Sequence, residues 1–309
     1  GSGDAAGPGD AGTTDSNLST VLAIVDRHAG QMIARPPEGM GRPVADYSNR
    51  ERHPEDDDKI DIYIVDEGWF SPKRDGHEGT MVTADTGGLA VLTEPRNRLR
   101  GYSGYILING GMVDHATAAG PRTQAYINLS STVVHEIFHI LQFANNPFVN
   151  SWFLEGTATW AETFFLSYAD DEAHDLHHHH LRVFQPDESS LLVDSTAEDP
   201  YAAYLWPLFM EQQVGADSVF DVWDQLRIAS GTDAEVLKAI DSHVPIEKEF
   251  SEFAMRVLNV NPPGDPIRPR FVDLAPGFPD GQASGVAGHH LTGTSLDVDH
   301  TGVPGLGRQ

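Results

Sequence analysis

The chain of 309 residues contains no cysteine. Disulfides and thiolate metal ligands are therefore excluded, and any bound metal must be held by histidine and carboxylate. Lysine is nearly as scarce. Only Lys59, Lys73, Lys238 and Lys248 occur, so most of the 20 basic residues are arginine, against 46 acidic ones and a formal net charge of −26. Such a surface repels phosphate backbones, which argues against nucleic acid and anionic membranes as partners. It suits a high-salt setting, where screening relieves self-repulsion, and equally a solvated acidic surface encoded by a GC-rich genome. No run approaches the roughly 18 apolar residues of a membrane span. Nothing near the start has the charged, apolar and small-residue order of a leader, and the opening GSG is what a cloning remnant would leave.

What is present is a folded body with a patterned middle. Hydrophobic residues make up 39% of the chain, enough for a sizeable core. Residues 1–17 are small and polar without periodicity, so a disordered arm or linker is expected there. One domain is expected over 18–260, with a sheet part at about 55–129 and a helical part at about 130–260. Helical spacing runs over 18–34, with Ser19 or Thr20 as cap. Strand-like segments follow at 60–67, 79–85, 88–93 and 104–109, with a short fifth at 124–129. From Ser130 the pattern is helical, with Ser130 or Ser131 as cap, first to about Asn145 and then over 151–168, 199–214, 216–229, 233–241 and 246–258. Residues 261–309 are rich in Pro and Gly and read as a tail or as the start of a further domain. The fold class expected is α+β, a mixed sheet followed by a mainly helical part.

The chemistry concentrates in HEIFHILQFANNPFVNSWFLEGTATWAE, residues 135–162. On a helix His135 and His139 lie within about 40° of each other, while Val133, Val134, Ile137, Ile140 and Leu141 fall on the far side. Glu136 stands about 100° from His135, beside the imidazoles rather than in the aliphatic stripe. Two imidazoles at this spacing can bind one zinc ion, with the intervening glutamate as general base. A shuffled chain of this composition would show HExxH about once in twenty-five, so the placement of the motif decides more than the motif does.

Catalytic zinc needs a third protein ligand. After the short break ANNPFVN a second helix puts Glu155, Thr159 and Glu162 within about 60° of one another, and Phe153, Trp160 and Phe164 on its opposite side. A break this short makes the two helices antiparallel neighbours whose polar faces converge. Glu155 is the expected ligand. Glu162 is either an alternative ligand or a hydrogen-bond partner of a ligand histidine, with Thr159 as a further candidate for that supporting role.

HExxH followed by W-F-x-E-G-x-A resembles the gluzincin metallopeptidases, the group that includes thermolysin and aminopeptidases with a W-L-x-E-G-x-A helix. VVHEIFHILQF…WFLEGTATWAE, and the later DPYAAYLWPLFMEQQVGADSVFDVWDQL, are more closely similar to secreted microbial metallopeptidases of the Myxococcus type. The resemblance covers roughly residues 60–260. It implies a zincin-like fold, a Zn²⁺ cofactor, protein or peptide substrates and an extracellular or cell-surface location. It also implies a Tyr or His that stabilises the oxyanion, for which Tyr201 is the first choice and Tyr204 the reserve. Fifteen residues separate His139 from Glu155, fewer than in the aminopeptidases, and Thr159 stands where thermolysin-like enzymes carry a supporting Asp. No G-x-M-E-N exopeptidase signature precedes the helix, and NGGMVDH at 109–115 is a faint echo at most. An endopeptidase is therefore expected ahead of an aminopeptidase. A catalytically silent binding protein on the same scaffold is the competing class, and retention of Glu136 weighs against it. By analogy the strand YILIN would pair with the substrate backbone.

Other features lead less far. The run HDLHHHH at 174–180 reads as a loop, because consecutive histidines do not converge on one ion in a helix or strand. EDDDK and DESSLLVDSTAED lack calcium-loop spacing, so a structural Ca²⁺ has no motif behind it. No G-x-S-x-G, phosphate loop or dinucleotide fingerprint occurs.

Overall fold

The computed structural model describes residues 10–33, 39–44, 60–69, 82–93, 101–166 and 203–257. Tyr201, the histidine run 174–180 and the 261–309 tail lie outside these residues. Among the described residues the chain forms eight α-helices and one three-stranded mixed sheet, an α+β arrangement. None of the helices is long and apolar enough to cross a membrane. Residues 1–147 with 158–174 make up one compact unit, and 148–157 with 175–309 a second.

The first unit opens with α1 (Asp10–Met32), which begins inside the stretch expected to be an arm. Val21, Ile24 and Met32 are buried with Asn17 and His28 along one stripe, and it is this stripe that orders the helix. Ser19 and Thr20, expected as caps, lie within it, and their hydroxyls donate back to the carbonyls of Asp15 and Ser16. The sheet comprises β1 (Asp61–Val65), β2 (Gly88–Leu92) and β3 (Gly104–Asn109) in the order β1-β3-β2. β3 pairs in parallel with β1 and antiparallel with β2, and its Ile106, Leu107 and Ile108 are buried. With a neighbour on each side, the YILIN strand has no open edge for a substrate, contrary to expectation.

The described part of the expected strand 79–85 is not a strand. Val82 exchanges backbone hydrogen bonds with Gly68 and Trp69, and Thr83 to Thr86 form a turn. Asn109 explains why the turn is held. Its side-chain amide donates to the carbonyls of Thr83 and Thr86, at 3.2 and 3.0 Å, while its Oδ1 accepts from the Gly111 N–H. The same residue caps α2 (Gly110–Ala119), a helix that its two leading glycines hide from sequence patterning. QAYINL, expected as a strand, forms the first turns of α3 (Gln124–Asn145), which Thr123 caps. Ser130 and Ser131 therefore lie inside this helix rather than at its start.

The sheet lies down on α3 along one ridge, and glycine makes the approach close enough. A Cβ at Gly101 would stand 2.1 Å from the Ala144 carbonyl oxygen. One at Gly104 would stand 2.9 Å from Ile140 Cδ1, and one at Gly88 2.7 Å from Thr132 Cγ2 and 2.8 Å from Glu136 Cγ. Residues 132, 136, 140 and 144 follow at intervals of four, which is one ridge of a helix. Gly101 also has φ +78°, a conformation that disfavours any other residue. Farther along, α4 (Ser151–Phe165) contributes Trp160 to this unit, edge-on to Phe138 at 6.3 Å and stacked on Phe164 at 4.9 Å. Phe164 was expected in the buried stripe of α4 but is 37% exposed, so it covers Trp160 from the solvent side.

The second unit contains the first turns of α4 together with α5 (Leu205–Val214), α6 (Asp217–Leu226), α7 (Asp233–Asp241) and α8 (Ile246–Val257). Its aromatic core includes Trp206, Phe209 and Phe253, with ring centroids 4.6–5.5 Å apart. α4 is anchored to it by three contacts. Phe153 stacks on Trp223 at 5.3 Å, Trp152 Nε1 donates to Asp233 Oδ1 at 2.8 Å, and Trp223 Nε1 donates to Thr157 Oγ1 at 3.2 Å. At the start of α7 the Glu235 carboxylate accepts from Ser230 and Thr232, and the Ser230 hydroxyl is the main cause of its lowered pKa.

Replacing Gly101 with Ala combines a strained backbone with overlap against Ala144, and is expected to cost about 2–4 kcal/mol. Urea unfolding of the variant measures it. A loss below about 1 kcal/mol would show that the helix and the turn are not in close contact in solution.

Candidate metal centre

α3 buries Val133, Val134, Ile137, Ile140 and Leu141, each no more than 1% exposed. This aliphatic face fixes the helix against its neighbours and carries His135 and His139 round to another side. The two rings meet edge to face, with centroids 4.6 Å apart and planes at 80°. Their Nε2 atoms stand 3.0 Å apart. His135, Glu136, His139 and Glu162 are each 7–8% exposed, so the cluster is largely withdrawn from water.

The outer nitrogens decide the protonation pattern. His135 Nδ1 lies 2.7 Å from Glu162 Oε1, and His139 Nδ1 lies 2.6 Å from Gln142 Oε1. Carboxylate and amide oxygens only accept, so each Nδ1 is the donor. With one proton per ring, that proton lies on the outer side and both Nε2 atoms present lone pairs across 3.0 Å. A shared cation satisfies such a pair. Two nitrogens on one tetrahedral zinc stand about 3.3 Å apart, given Zn–N bonds of about 2.0–2.1 Å. The spacing and the tautomers therefore fit a metal.

α4 supplies the carboxylates. Glu162 accepts from the Ser131 hydroxyl as well as from His135, so both its oxygens are engaged and its position is set from two directions. Glu155, two turns earlier on the same helix, completes a set with His135 and His139 whose ligand atoms all lie within 4.8 Å of one another. Two imidazoles and one carboxylate form a donor set used by catalytic zinc, with one position left for a reacting molecule. Between the histidines, Glu136 lies against the start of β2, its Cγ and Oε1 close to Gly88.

The remaining sequence candidates divide. Thr159 lies between Glu155 and Glu162 on α4, fully buried, and its Oγ1 has no hydrogen-bond partner among the described residues. Histidine support thus comes from Glu162, one turn beyond Thr159. Tyr204 is buried at the N-terminus of α5, and Tyr201 lies outside the described residues. Sequence reasoning missed Gln142 altogether and read Ser131 only as a cap. Helical spacing could have found both: Gln142 is three residues after His139 and Ser131 four before His135, positions that share a face with them.

The chain matches no protein-family model, and comparison with curated proteins and with solved structures finds no match.

Because Glu162 and Gln142 fix the histidine tautomers, Glu162→Leu and Gln142→Leu are each expected to weaken zinc binding about 10–100-fold. Competition against a chromophoric chelator reads this directly. Unchanged affinity in both variants would mean that these partners do not set the ligand geometry.

Proposed function

We propose that this chain is a zinc-dependent metallopeptidase of the gluzincin type that acts as an endopeptidase on protein or peptide substrates. The observation that carries the reading is the pair of Nε2 lone pairs 3.0 Å apart, completed by the Glu155 carboxylate. Acceptors behind both outer nitrogens, Glu162 Oε1 and Gln142 Oε1, support a reading in which the inner nitrogens face a metal.

His135, His139 and Glu155 would hold the zinc. When bound, zinc acts as a Lewis acid that polarises a carbonyl and brings a coordinated water's pKa toward about 7. Glu136 is the general base in this reading. Its carboxylate takes the proton from the attacking water and returns it to the nitrogen of the departing amine. Burial of Glu136, at 7% exposure, keeps bulk water from competing for that proton. Glu162 holds His135 in place, and Gln142 does so for His139. Tyr201 or Tyr204 remains the proposed donor to the oxyanion.

The outer strand β2 takes over the substrate-pairing role that β3 cannot fill. Thr93 N–H donates to Ser103 O, and Asn109 N–H donates to Gly87 O. Odd-numbered residues 87–93 therefore face β3, which leaves the backbone groups of Gly88, Ala90 and Leu92 on the outer edge, beginning beside Glu136. An extended peptide adding there would lie close to the base.

Purified protein is expected to contain zinc and to cleave casein or a peptide library, with activity removed by chelation and restored by zinc. Glu136→Gln should keep the metal and lose about 10²–10⁴-fold in turnover. Zinc without cleavage at any salt concentration would favour a binding protein on this scaffold, and absence of zinc would sink the site.

A further inference from the structure

The geometry points to Gly88 as a positioning residue for the general base: the missing side chain at the start of β2 is what leaves the Glu136 carboxylate its place. The inference rests on the reading of Glu136 as that base.

A Cβ built on Gly88 would lie 2.7 Å from Thr132 Cγ2, 2.8 Å from Glu136 Cγ and 3.2 Å from Glu136 Oε1. The first two distances are shorter than non-bonded carbons tolerate, so either the strand or these two side chains would have to move. The backbone of Gly88 is paired to Ile108 in the sheet, and α3 is held by its buried aliphatic face. The Glu136 side chain is the softer partner, having rotatable bonds where the others have ladders and core. An added methyl therefore drives the carboxylate off its position and leaves the main chain where it is.

The neighbouring glycine separates this effect from simple packing. A Cβ on Gly87 would meet Met112 Cε at 3.0 Å and Thr132 Oγ1 at 3.1 Å, with no Glu136 atom among its three nearest neighbours. Neither glycine has positive φ, so Ala introduces no backbone strain at either site. Gly87→Ala thus crowds Thr132, the neighbour that both glycines share, with Glu136 outside its three nearest contacts. His135, His139 and Glu155 supply none of the three atoms nearest to either Cβ.

The experiment compares wild type, Gly87→Ala, Gly88→Ala and Glu136→Gln for zinc content, for the visible absorption of the cobalt(II)-substituted protein, and for kcat and KM on one peptide. Gly88→Ala is expected to keep full metal content and near-normal KM, to lose about 100-fold in kcat, and to change the cobalt spectrum as Glu136→Gln does. Gly87→Ala should match wild type in all three. Gly88→Ala with wild-type kcat and spectrum, in a wild type that binds metal, would overturn this inference alone. Equal losses in both glycine variants would also overturn it, by reducing Gly88 to packing. A wild type that takes up neither zinc nor cobalt would overturn the underlying reading and this inference with it.

Discussion

Two imidazoles, one helical turn apart, each direct Nδ1 at an oxygen behind them. Glu162 supplies one of these oxygens and Gln142 the other. Their Nε2 atoms stand 3.0 Å apart with the Glu155 carboxylate within reach, a group that could hold a metal ion. Much of the surrounding structure serves to fix this arrangement. The aliphatic face of α3 stops the helix from turning the histidines to solvent, and Ser131 stops Glu162 from swinging away. Trp160, edge-on to Phe138, sets the part of α4 that carries Glu162 beside α3.

The two supporting oxygens differ in charge. The carboxylate behind His135 strengthens that imidazole as a donor more than the neutral amide behind His139 can. Gln142 is wholly buried, and a second carboxylate there would add an unpaired negative charge close to Glu136, Glu155 and Glu162. An amide orients His139 without that cost.

How much of this could be read from the sequence varied with the kind of signal. The helices of the second unit were found nearly to their ends, because aromatic and aliphatic residues recur there at helical spacing; α7 coincides with the expected 233–241. The pairing of HExxH with a following glutamate helix was legible for the same reason. The errors cluster where polar or small residues carry the structure. α1 begins eight residues before the expected Leu18, within a stretch whose composition reads as linker. α2 hides behind two glycines and depends on Asn109, whose amide reaches back to a turn more than twenty residues away. QAYINL has strand-like residues but follows a capping threonine, and the cap prevailed. Pairing partners are likewise invisible to local pattern. Nothing in YILIN says that it will be the middle strand, and among the described residues that placement leaves β1 and β2 as the outer strands.

The glycine ridge has an effect that is torsional as well as steric. A cylinder packed on one flat face can still roll about its own axis, and a roll of a few tens of degrees would carry a side chain several ångströms. Gly88 and Gly104 of the sheet and Gly101 in the turn before β3 bring backbone against α3 near residues 136, 140 and 144, so the helix is touched at three levels instead of one. Three stops along a single line leave no free roll. The angular setting of His135 and His139 is therefore indexed by residues that never approach the imidazoles, the farthest of them at the opposite end of the sheet from Glu136.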